Sequence, residues 1–69
     1  MRYRFLVRDY DGFSHSHEEE CVSEDLARKV AKAMVADVYF VESVTLYRLE
    51  TNDSCGPIKY LDEFKYGEQ

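Results

Sequence analysis

One stretch of this chain has helical period. From Ser23 to Val38, the apolar residues Leu26, Ala27, Val30, Ala31, Ala33, Met34 and Val38 recur at the spacing of a single helix face. A lone amphipathic helix gains its stability from packing, so the rest of the chain must supply a surface for that stripe. The alanines in it allow a close approach to a flat partner, which a sheet provides. Ser23 is a good N-cap, and Glu24 and Asp25 place acids where the helix dipole favours them. Glu24 with Arg28 and Asp25 with Lys29 are i,i+4 pairs in the favourable orientation.

The flanking segments have strand character. Arg2 to Tyr10 alternates, with Tyr3, Phe5 and Val7 on one face and Arg2, Arg4, Leu6, Arg8 and Tyr10 on the other. Asp11 to Val22 shows no period and reads as a loop, with Gly12 and the like-charged run Glu18-Glu19-Glu20. Ser43 to Thr51 is β-branched and aromatic. Either Val44 and Leu46 of this strand point inward, or Thr45, Tyr47 and Leu49 do. The second choice keeps Arg48 and Glu50 out of the core and is the expected one. Asn52 to Pro57 is dense in turn formers, and Ile58 to Phe64 is a third strand closing a hairpin with the second. The tail from Gly67 to Gln69 is expected to fray.

The expected architecture is α+β, one domain over residues 1–69, with a single helix on a three-stranded, mainly antiparallel sheet in the order β-α-β-β. If the first two strands are adjacent they run parallel, with the helix as a right-handed crossover. If the first pairs with the third, the whole sheet can be antiparallel.

Charge narrows the function. The net charge of −5 on 69 residues argues against direct nucleic-acid binding, whose footprint is usually basic. The charge is also uneven along the chain. Residues 1–8 hold three arginines and no acid, while Asp9, Asp11, Glu18, Glu19, Glu20, Glu24 and Asp25 fall in a stretch without Lys or Arg. The expectation is an acidic lobe opposite a sheet face of Arg2, Arg4, Leu6, Arg8 and Arg48, with Lys59, Val44, Leu46 and Leu61 among them. Each is a candidate partner-binding surface, and the sheet face is also a candidate homodimer surface. Regularly placed carboxylates can imitate a phosphate backbone, and they can steer the chain onto a basic partner. The bland counterparts are a solubilising acidic surface and a solvated sheet face with arginine stems lying over apolar neighbours.

Catalytic signatures are missing from the sequence. His15, His17 and Cys21, with Cys55 as a fourth, are the only grouping that suggests a metal, and the spacing fits no known finger. Cys21 beside three glutamates makes a poor nucleophile, because negative neighbours raise a thiol's pKa. The glycines are isolated, so no phosphate-cradling loop exists. The sequence therefore predicts a non-enzyme without cofactor or metal. No apolar run approaches a membrane span or a signal-peptide core, and the two distant cysteines suit free thiols. A soluble cytoplasmic protein is expected.

The strand Tyr3-Arg4-Phe5-Leu6-Val7, the acidic loop, the helix start from Ser23 to Ala31, and the strand Thr45 to Thr51 with its final hairpin resemble a group of small proteins. These are the β-α-β-β proteins of phages and mobile elements, in particular the anti-CRISPR inhibitors of type I interference complexes. The resemblance spans nearly the whole chain as architecture and size, and carries no individual functional residue. It implies a phage-encoded protein in the host cytoplasm that blocks a nucleic-acid-processing complex by occupying its DNA-binding surface or a subunit junction.

Overall fold

The computed structural model describes residues 1–37, 41–51 and 56–66. Their order is β1 (Arg2–Asp9), β2 (Ser14–Glu20), α1 (Glu24–Asp37), β3 (Val41–Leu49) and β4 (Ile58–Lys65). The α+β class is as expected, but the sheet has four strands in the spatial order β2-β1-β3-β4, all antiparallel.

The additional strand, β2, replaces part of the expected loop. Its sequence Ser-His-Ser-His-Glu-Glu-Glu holds no apolar residue, and most of its side chains are exposed, so the usual alternation is missing. The pairing comes from β1, which sets Arg4 opposite Glu18, Phe5 opposite His17 and Val7 opposite His15. Asp9 makes the turn. Its Oδ1 accepts from the backbone N–H groups of Asp11 and Phe13, both at 3.0 Å. Gly12 adopts φ +89° there, in the left-handed region where a Cβ is strained.

This hairpin also decides the topology. It returns the chain to the end where β1 began, so the helix delivers β3 beside β1 in the antiparallel sense. A parallel crossover, or a β1 paired with the last strand, would each suit a chain with no β2.

Ser23 caps α1 as expected, its Oγ accepting from Leu26 N–H at 3.2 Å. Glu24 and Arg28 pair, whereas Asp25 and Lys29 do not. Ala27, Ala31 and Val35 are buried, with Val30 and Met34 partly so. Leu26 and Ala33, counted in the apolar stripe, are exposed, and Val38 lies outside the described residues.

The core is Tyr3, Phe5, Val7, Val41, Val44 and Leu46 beneath those helix residues. The expected facing of β3 is therefore reversed. Phe5 lies opposite Leu46 and Val7 opposite Val44, so these pairs share the helix side, and Thr45 and Tyr47 face away. Arg48 is accommodated on the helix side because it stands opposite Tyr3, near the strand's end, where its guanidinium donates to Glu50 at 3.3 Å. Leu49 is buried, but apart from that cluster. Burial of Phe5 or Leu46 contributes about 1.5–3 kcal/mol each.

A bulge sits in β4. Leu46 faces Asp62 and Tyr47 faces Tyr60, so Leu61 is the extra residue. Leu61 and Phe64 pack on the core, and Asp62 accepts from Arg28 Nη1 at 2.6 Å, tying the strand to the helix. The expected hairpin of β3 and β4 is present, and residues 52–55 of its turn lie outside the described residues. No helix among the described residues is long and apolar enough to cross a membrane.

Candidate functional site

Among the described residues, the helix covers one side of the sheet and no element packs on the other. Cross-strand partners define the rows of that open face. One row runs Glu18, Arg4, Tyr47 and Tyr60, and the next runs Ser16, Leu6, Thr45 and Glu63. Ser14, Arg8, Ser43 and Lys65 follow, and Ile58 lies beside Leu49 at the opposite end.

Arg2, Arg4, Leu6 and Arg8 are on this face as expected. Arg48 is not, because its partner Tyr3 belongs to the core side, and Lys59 shares that side as the partner of Arg48. Val44 and Leu46, expected among the arginines, lie under the helix.

The expected separation of charge does not hold in three dimensions. Glu18 sits between two arginines, with Oε2 accepting from Arg4 Nε at 3.3 Å and Nη2 at 3.1 Å, and Oε1 from Arg2 Nη2 at 3.5 Å. The remaining acids disperse. Asp9 holds the hairpin turn, Glu24 holds Arg28, and Glu20 lies 3.9 Å from the N-terminal amine. Glu19 points to the helix side with His17, at 3.7 Å. Asp11 and Asp25 are exposed and make no ion pair among the described residues. Pairing places acids and arginines, distant in sequence, on adjacent strands.

Three residues that sequence reasoning left out complete the face. Tyr60 is 59% exposed and Ile58 is 42% exposed, while Tyr47 meets Tyr60 edge-on with centroids 6.1 Å apart. The alternation Ile58, Tyr60 was a readable signal, but the bulge at Leu61 shifts every later residue of β4 to the other face.

Between the rows lies a shallow recess of about 150 Å³, lined by Leu6, Arg8, Ser14, Ser43, Thr45 and Glu63. That is well below the ~300–1,000 Å³ of sites that enclose small molecules.

The metal grouping is split. Cys21 is a free thiol buried in the core, while His15 and His17 are exposed on β2. Cys55 lies outside the described residues, and among those described no three His, Cys, Asp or Glu side chains converge to hold an ion. Burial raises the Cys21 thiol pKa above its ordinary value, and nearby Glu19 adds to the effect. Burial likewise raises the Tyr3 phenol, with Glu24 contributing. The Arg28 guanidinium is held charged more firmly by its hydrogen bond to Glu24, with Asp62 also contributing.

Compared with known proteins, the chain matches no family model, no curated protein and no solved structure.

Proposed function

We propose that this chain is a non-enzymatic binding protein that recognises another protein through its open sheet face. The observation that carries this is the continuous strip of Arg4, Tyr47 and Tyr60, bordered by Leu6 and Ile58, with Arg8 in the row beyond Leu6. Arginine and tyrosine are the side chains enriched at binding hot spots, since both combine apolar area with directed donors. The strip is accessible, and Arg8 makes no ion pair among the described residues. In keeping with the resemblance to phage-encoded inhibitors, the partner in this reading is a component of a host nucleic-acid-processing complex in the host cytoplasm. Recognition then rests on mixed charge and aromatic surface, with the acids of β2 steering approach to a basic partner. The homodimer through this face drew on Leu6, Val44 and Leu46, of which Leu6 alone is on it.

The test is capture from host lysate with the wild-type chain, followed by binding measurements on the identified partner. Tyr60→Ala and Arg8→Glu, each checked for fold by circular dichroism, are expected to weaken binding at least tenfold. Wild-type binding is expected to fall with added salt, as screening acts over ~8–10 Å. Full binding by both variants overturns the reading.

A further inference from the structure

The sheet's β2 edge carries a pattern that lies apart from the Arg4, Tyr47 and Tyr60 strip. Among the described residues β2 pairs only with β1, so its outer row of N–H and C=O groups has no strand beside it. Two of the most exposed apolar side chains among the described residues flank this edge, Phe13 at 74% just before it and Val22 at 92% just after it. An edge of that kind calls for cover, and the order of its charges specifies which cover fits.

Two copies of one strand pair antiparallel about a two-fold axis. A continuous sheet with both helices on the same side requires the axis to pass through a residue position, because facing side chains must share a face. Centred on His17, such a pair uses all seven residues of β2. Ser14 then faces Glu20, His15 faces Glu19, and Ser16 faces Glu18, each twice. No carboxylate faces another. Glu19, already 3.7 Å from its own His17, gains the imidazole N–H of His15 from the second copy. Moving the centre to Glu18 sets that carboxylate against itself. Moving it to Ser16 sends Glu19 and Glu20 past the end of the opposing strand. The antiparallel sense also carries Phe13 of each copy to the Val22 end of the other.

We propose that the β2 edge is a homodimer interface, in which two copies join around His17 into one eight-stranded sheet. The occupant is a second copy because the sequence Ser-His-Ser-His-Glu-Glu-Glu is complementary to itself reversed in this register. The dimer leaves the open face free and doubles it, so the proposal stands independently of the partner assigned above.

Sedimentation velocity of the intact chain, from micromolar to near-millimolar concentration, tests it. A concentration-dependent dimer is expected. His15→Glu sets a carboxylate against Glu19 at two symmetric places and is expected to raise the dimer dissociation constant by about tenfold or more. Adding Glu19→Lys to that variant is expected to restore dimerisation. A monomer throughout the range overturns the proposal, as does a dimer indifferent to His15→Glu or a double variant that stays monomeric. Circular dichroism confirms that each variant is folded before it is scored.

Discussion

Arg4 and Glu18 stand directly opposite each other on β1 and β2, and two nitrogens of the guanidinium converge on one carboxylate oxygen at 3.3 and 3.1 Å. The same carboxylate receives Arg2, so one glutamate neutralises much of what reads in the sequence as an arginine stripe.

Replacing that carboxylate tests how far the pairing holds β2 in place. Glu18 is less exposed than the other acids of its strand. Glu18→Gln is expected to lower unfolding free energy by about 1 kcal/mol, against near zero for Glu20→Gln. Urea unfolding of both variants, followed by circular dichroism, gives the comparison. Equal effects would show that the Arg2–Glu18–Arg4 arrangement contributes nothing particular.

The helix rests on the sheet through Ala27 and Ala31, both fully buried. Ala31→Leu forces extra volume into that contact and is expected to cost about 1–3 kcal/mol. Ala33→Leu, on the exposed flank, is expected to be close to neutral. Thermal melts of the two variants distinguish close helix–sheet packing from a generic preference for alanine.

Tyr3 gives the fold an alkaline limit. Burial raises its phenol pKa, with Glu24 adding to the effect, so the neutral form is favoured in the native state. A group whose pKa is raised on folding contributes fully below its unfolded value, ~10 for tyrosine, and loses that contribution as pH rises through the folded value. Stability is therefore expected to fall above about pH 10 in the wild type, and less steeply in Tyr3→Phe. Denaturant midpoints measured across that range check the slope difference.

Cys21 should be a slow thiol. It is buried, its pKa is raised by that burial and by Glu19, and only the thiolate reacts. In a Cys55→Ser background, a chromogenic disulfide reagent at mildly alkaline pH is expected to modify Cys21 rapidly only after denaturant is added. Prompt modification of the native chain would mean that the site opens readily.

Much of this fold is legible in the sequence because its signals are local. The alternation of Tyr3, Phe5 and Val7, the Ser23 cap and the alanine face each depend on neighbours a few residues away. β2 is not legible in that way. Its side chains have no buried face to write a period into the sequence, and its identity as a strand resides in Arg4 and Phe5 on the strand beside it. The facing of β3 went astray on a related point. Keeping Arg48 out of the core is sound reasoning for a strand centre, but Arg48 sits near an end, where Glu50 meets it. Of the candidate site, the arginines of β1 were readable. Tyr60 was readable from its alternation with Ile58, whereas Tyr47 was not, since its face depends on the reversed β3.

The central position of β1 has a consequence for how the molecule assembles. Its partner β2 is available within a few residues, so the first hairpin can close as soon as it is made. That hairpin sets only His15 and His17 against Val7 and Phe5. The largest apolar side chain of the core therefore waits, partly uncovered, until the helix and β3 have been synthesised and returned to it. The pairing nearest in sequence is therefore the most polar, and the pairing of Leu46 with Phe5, which closes the core, has to span β2 and the helix.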